Sequence, residues 1–353
     1  MNAERLKLAR KRVGLSLRAL ADKTGGIVSA QGIGHYESGR SRPGSQILIA
    51  LSKALDVAPS FLMSASGIRL GRLDFRKKSI TKASERAAVQ AEILDVLERY
   101  LIIEEIVGAP ETAWKLPEGF PLRVETLEDA EHAAEELRVA WDLGHDPIPD
   151  MVELMEEHGI KVVIRDLPDS VDGITCEVER QGYSPVRAVA CNKSKGIERR
   201  RLTLAHELGH AVLDIAGDIK EEKACQRFAG AFLAPAVAVR REFGEDRSCL
   251  ALAELMLVKR LLGISASALV YRLKDLKIIP GHEYERFSMS PQGRSWRKIE
   301  PEPLACEDCN EKPNRFLRLV LRALAEEMIS LSKASELLGM SVQDVRLKLV
   351  GTE

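Results

Sequence analysis

Between Arg199 and Pro235 the chain reads RRRLTLAHELGHAVLDIAGDIKEEKACQRFAGAFLAP, and no other stretch restricts the fold so tightly. His206 and His210 stand four apart in a Leu- and Ala-rich segment with no proline before Pro235, so on a helix both imidazoles leave the same face. That is the spacing at which two rings reach one metal ion. Glu207, the glutamate of the HExxH pattern, lies about 100° round the helix from His206, near enough to touch a water on the metal without ligating it. The arrangement predicts a zinc-bound water with Glu207 as its general base.

Two imidazoles do not hold zinc alone, and a third ligand is expected after a turn. The helix can run to about Ile215, Ala216-Gly217-Asp218 breaks it, and a second amphipathic helix opens near Lys220 with Glu221 and Glu222. An antiparallel return over two turns, about 10 Å of helix, brings Glu222 alongside His210. By themselves, the two glutamates read better as solvated first-turn carboxylates favoured by the helix dipole than as ligands.

The stretch resembles the ImmA/IrrE (COG2856-type) metallo-endopeptidases. RRRLTLAHELGH and EKACQRFAGAFLAP are similar to that family's R-F-T-x-A-H-E-x-G-H and E-x-x-A/C-N-x-F-A-x-x-L-x-P, with Leu202 in place of the usual Phe and Gln226 in place of the usual Asn. The resemblance implies that His206, His210 and Glu222 are Zn2+ ligands and Glu207 the catalytic base, in a zincin-like domain spanning residues 125–280.

Charge divides the chain. Residues 1–82 carry 16 Lys and Arg against 5 Asp and Glu, while the whole chain has a net charge of −1, so a basic head precedes an acidic body. Nucleic acid is therefore expected at one end only. Within residues 1–63, five short helices are predicted. Ser16 opens one that ends at Gly25-Gly26, and Ser29 caps another, Ala30 to Glu37, closed by Gly39. This segment resembles the XRE-type, phage-repressor-like helix-turn-helix domains, although its turn at Gly25-Gly26-Ile27-Val28 is about two residues longer than the commonest form. By that resemblance Ser29, Gln31, Gly32 and His35 lie on or near the face that enters the major groove of an operator duplex. Gln31 suits an adenine edge, and Arg40 and Arg42 suit phosphates.

Residues 64–124 read as a basic linker, with Arg76-Lys77-Lys78 able to add phosphate contacts, followed by a long helix from Ala83 to Val107. That helix has Ile93, Leu97, Leu101 and Ile102 on one side; a homodimer stalk and packing on the zinc-site domain are both open to it. A helix from about Leu127 to Trp141 and strands at Lys161–Arg165 and Val186–Cys191 precede the HExxH helix, and His132, His145 and His158 read as surface residues. Residues 281–303 read as loop and strand, and the tail to 353 as helices with helix-turn-helix spacing around Gly339. Four scattered cysteines suggest buried thiols, and Cys306 and Cys309 form half of a zinc-knuckle spacing. Tyr183, Tyr271 and His282 are candidates for stabilising an oxyanion, with no motif behind them.

The predicted fold is mainly α with a small β-sheet (α+β), consistent with an Ala- and Leu-rich chain that is only 5% aromatic. With no run of eighteen apolar residues and no apolar stretch after MNAERLKLARKR, a cytoplasmic protein without membrane contact is expected. Two functions fit. One is a DNA-binding regulator with a zinc endopeptidase that cleaves a protein partner, by resemblance a repressor or antitoxin. The other is a repressor, antitoxin or stress regulator whose metal site is a sensor or a structural support.

Overall fold

The computed structural model describes residues 1–57, 59–63, 68–74, 83–109, 114–180, 184–305 and 311–350. Arg76-Lys77-Lys78, Tyr183, Cys306 and Cys309 lie outside the described residues. In chain order the elements are α1 (Ala3–Arg12), α2 (Leu17–Lys23), α3 (Ala30–Glu37), α4 (Ser45–Leu55), α5 (Pro59–Met63), β1 (Ile68–Asp74), α6 (Ala83–Val107), β2 (Leu122–Val124), α7 (Leu127–Ala140), α8 (Met151–Glu157), β3 (Lys161–Arg165), β4 (Gly173–Arg180) and β5 (Val186–Asn192). There follow α9 (Ile197–Val212), β6 (Leu213–Ile215), α10 (Glu221–Leu233), α11 (Ala236–Phe243), α12 (Leu252–Leu262), α13 (Ala266–Asp275), α14 (Gly281–Met289), α15 (Pro291–Trp296), α16 (Asn314–Ala325), α17 (Leu331–Leu338) and α18 (Val342–Val350). The chain is mainly helical, with small sheets, in the α+β class expected. It forms two compact units, one of residues 1–113, 176–188 and 314–353, the other of 114–175 and 189–313.

In the first unit, helices α1–α5 close on a core of Leu6, Leu20, Ile33, Leu51, Leu55 and Leu62. Ser16 and Ser29 cap α2 and α3 as predicted, each accepting an amide hydrogen bond three residues on. Arg10 grips Glu37 with two hydrogen bonds, 2.6 and 2.7 Å, tying α1 to the end of α3. α6 is covered on more than the one side its sequence predicts. Tyr100 and Ile103 share a core with Val320, Ala323, Leu337 and Val345 of α16–α18. Asp95 and Glu98, both buried, meet α1, Glu98 accepting from Arg5 and Asp95 pairing with Arg12 at 3.3 Å and with Arg99 at 2.6 Å. Burial pushes the Glu98 carboxyl up to about 7, outweighing the opposing pull of Arg5.

The second unit is centred on α9, packed against α8 and α10, with α10 also against α7. Residues 189–192 of β5 belong to it, as do 173–175 of β4 and all of β3. The helix expected to run to Ile215 stops at Val212. Leu213, Asp214 and Ile215 instead pair in parallel with Leu122, Arg123 and Val124, so a strand partner 91 residues upstream overrides local helical propensity. Of residues 281–303, expected as loop and strand, 281–289 and 291–296 instead form α14 and α15, and 297–303 are loop. Their prolines, Pro280 and Pro291, sit at helix starts, where the missing N–H costs nothing.

The N-terminal half of α9 is fixed by buried charge. Glu198 takes the Lys259 ammonium at 2.9 Å and the Leu304 amide at 2.9 Å. Lys259 also reaches Glu300 at 2.8 Å. Arg201, 1% exposed, pairs with Glu311, whose carboxylate also accepts the Met151 and Val152 amides at the start of α8. No helix among the described residues is long and apolar enough to cross a membrane.

Candidate functional site

α9 carries His206 and His210 one turn apart on a half-buried face, their rings 4.8 Å apart and nearly perpendicular. β6 turns the chain, and α10 returns along α9. Gly209 makes that return close: a Cβ there would stand 3.1 Å from Phe228 Cδ1 and 3.3 Å from Cys225 Cα on α10. The first turn of α10 therefore reaches the histidines. Glu222 Oε2 lies 3.4 Å from His206 Nε2, Glu221 Oε1 lies 3.0 Å from His210 Nδ1, and Cys225 Sγ lies 3.3 Å from that same Nδ1. One donor atom each from His206, His210 and Glu222 falls within 4.8 Å of the others.

The donor set fits a divalent cation of the zinc type. A tetrahedral ion with bonds of 2.0–2.1 Å separates its ligand atoms by about 3.3–3.5 Å, the spacing already present between His206 and Glu222. Protonation favours the same state. Burial, and then the His210 ring beside it, hold His206 down to about 4, against the opposing pull of Glu222. Its imidazole is therefore neutral at pH 7, the form that ligates.

Glu207 points to a different partner. Thr175 on β4 donates from Oγ1 to Glu207 Oε2 at 2.5 Å. β4 can lie this close because Gly173 has no side chain: a Cβ there would stand 2.4 Å from Thr203 Cγ2 and 3.7 Å from Glu207 Cγ. Sequence reasoning missed Thr175, Glu221 as a partner of His210, and Cys225. A signal for Thr175 does exist in β4, where Ile174, Cys176 and Val178 are buried and Thr175 takes the alternate face.

Other candidates are placed as follows. Ser29 is exposed and its hydroxyl accepts the Gly32 amide at 3.1 Å, so both serve the cap of α3. Gln31, Arg40 and Arg42 are exposed, and His35 is half-buried with its carbonyl taking the Arg40 amide at 2.9 Å. His132 and His145 are exposed, but His158 stacks on Trp141 with ring centroids 3.8 Å apart, which corrects its reading as a surface residue. Tyr271 packs edge-on against Tyr284, and His282 lies beside Glu283 on α14. Cys176, Cys191 and Cys225 are buried, with burial pushing the Cys176 thiol up to about 12, whereas Cys249 is exposed.

Two family models match the chain. Residues 6–62 match the helix-turn-helix family, covering α2 and α3 and most of the surrounding bundle, and residues 155–274 match the IrrE N-terminal-like domain, covering α9 and α10. No curated protein matches the chain significantly. The chain is thus similar to the IrrE N-terminal-like domain over residues 155–274 and to helix-turn-helix proteins over residues 6–62.

Proposed function

We propose that this protein is a DNA-binding regulator whose second unit is a zinc-dependent endopeptidase, with His206, His210 and Glu222 as metal ligands and Glu207 as the general base. Its substrate is a protein partner, a repressor or antitoxin, and it acts in the cytoplasm where its operator is. The observation that carries this reading is the convergence of two imidazoles and a carboxylate within 4.8 Å, with a further carboxylate, Glu207, between the two histidines in sequence.

Zinc held by these three residues supplies a Lewis acid that polarises the scissile carbonyl and acidifies a water molecule. Glu207 takes the proton of the attacking water and passes it to the departing amine, which leaves protonated and neutral. The Thr175 hydroxyl holds Glu207 Oε2, fixing which way the carboxylate faces. A metal site kept only for sensing or support has no chemical use for such a base, so Glu207 favours peptide hydrolysis. In the first unit Gln31 is proposed to read a base edge from α3, with Ser29, Gly32 and His35 near the groove and Arg40 and Arg42 on phosphates. The local surplus of positive charge supports this assignment.

Glu207→Gln tests the reading, because it keeps the shape but cannot accept the proton. Wild type or variant is co-expressed with the product of the adjacent gene, fragments are sought by mass spectrometry, and a reporter follows the adjacent promoter. Fragments are expected with wild type alone, while zinc content and operator affinity of the variant stay within about two-fold. Should the promoter respond equally with Gln at 207 and no fragment appear with either form, the metal centre is a sensor or a support and the protease reading fails.

A further inference from the structure

We infer that Glu221 is a positioning residue for the metal ligand His210, holding its Nδ1–H and so directing Nε2 to the metal. This rests on the proposal that the His206, His210 and Glu222 cluster binds a cation. The two neighbouring carboxylates of α10 divide between the two histidines of α9: Glu222 meets His206 Nε2 at 3.4 Å, and Glu221 meets His210 Nδ1 at 3.0 Å.

An imidazole that ligates must be neutral, with its one proton on the nitrogen that does not face the metal. Which nitrogen that is depends on an outside acceptor, and an oxygen on the distal N–H fixes the tautomer and stops the ring from turning. Glu221 Oε1 is such an acceptor at hydrogen-bonding distance from Nδ1. The His210 side chain is 8% exposed, so few other orientations are open to it. Cys225, one turn further along α10 and fully buried, lies against the same nitrogen at 3.3 Å. A first-turn glutamate also favours its own helix through the dipole, but that role alters helix stability and leaves metal affinity unmoved.

The experiment compares zinc binding by the metal-free full-length protein and two variants, using competition with a chromophoric chelator at low and high salt. Glu221→Gln keeps an acceptor oxygen at the right reach without the charge. Glu221→Asp keeps the charge on a side chain one methylene shorter. If the hydrogen bond positions His210, Glu221→Asp weakens zinc binding about 10–100-fold at unchanged stoichiometry, and Glu221→Gln stays within a few-fold of wild type at both salt concentrations. Wild-type affinity in both variants overturns the inference. So does the reverse ranking with recovery at high salt, which marks simple charge attraction, and so does loss of stoichiometric zinc in both, which makes Glu221 a ligand. His210→Ala is run alongside: wild-type zinc content there removes the metal centre itself, whatever Glu221 does. The Glu221 side chain is 43% exposed, so both variants should keep the far-UV helicity and melting of the metal-free parent.

Discussion

Gly209 shows how much a single residue decides here. Inside an α-helix alanine is favoured over glycine by about 1 kcal/mol, so Gly209→Ala in an isolated α9 would stabilise it. In the folded protein the new methyl would meet Phe228 Cδ1 at 3.1 Å and Cys225 Cα at 3.3 Å, and both residues are fully buried and have nowhere to retreat. We expect Gly209→Ala to lower stability by about 1–3 kcal/mol and to weaken zinc binding, because moving α10 outward withdraws Glu222 from His206. A melting curve and a zinc titration check both; a variant more stable than wild type would show that the helices are not held this close. That His206, His210 and a glutamate of α10 come together was legible because a helical repeat sets both imidazoles on one face and a short return brings the glutamates near, while the choice of Glu222 over Glu221 came from the family resemblance. Thr175 and the contact of Glu221 with His210 were not legible, since they depend on how closely β4 and α10 approach α9, a distance set by Gly173 and Gly209.

At the scale of elements, capping residues and turn glycines placed α2 and α3 from sequence, because those signals act within a few residues. Elements governed by distant partners were misread. α9 loses its last turn to the pairing of β6 with β2, and the run read as one-sided in α6 proves covered by α1 and by α16–α18. Glu311 also depends on distant partners, and nothing local in the sequence announces that it enters the interior. There it neutralises Arg201, at 2% exposure or less for both side chains, and caps α8. Glu311→Gln should therefore cost about 3–5 kcal/mol, by leaving the Arg201 guanidinium buried opposite a neutral amide. Glu302→Gln, whose carboxylate meets Arg260 at 3.5 Å on the surface, should change stability by less than about 0.5 kcal/mol. Urea unfolding of the two variants decides it: similar midpoints would mean that Arg201 does not depend on Glu311.

Across the whole molecule, the unit that carries the helix-turn-helix is assembled from both ends of the chain, residues 1–113 and 314–353, with 281–313 belonging to the other unit. Its interior beyond α1–α5 depends on the tail. Tyr100 and Ile103 of α6 are at most 1% exposed against Val320, Leu337 and Val345, Arg99 donates to the Leu337 carbonyl at 3.0 Å, and Arg315 pairs with Glu104. Ending the chain at 313 uncovers two large apolar side chains, at about 1.5–3 kcal/mol each, and removes the charge-assisted hydrogen bonds of Arg99 with Leu337 and of Arg315 with Glu104 and Tyr100. That sum is comparable with the whole stability of an ordinary domain. The 1–313 protein should therefore lose about 10 °C or more in the melting of its first unit. Operator binding should fall with it at assay temperature, although Gln31, Arg40 and Arg42 are all retained. Zinc content should stay at the full-length value, since His206, His210 and Glu222 belong to the second unit together with their surroundings. Scanning calorimetry, a gel-shift titration and metal analysis on the same preparation test these outcomes. Full-length melting and DNA affinity in the 1–313 protein would mean that α6 is held by α1 alone and that the C-terminal helices have another task.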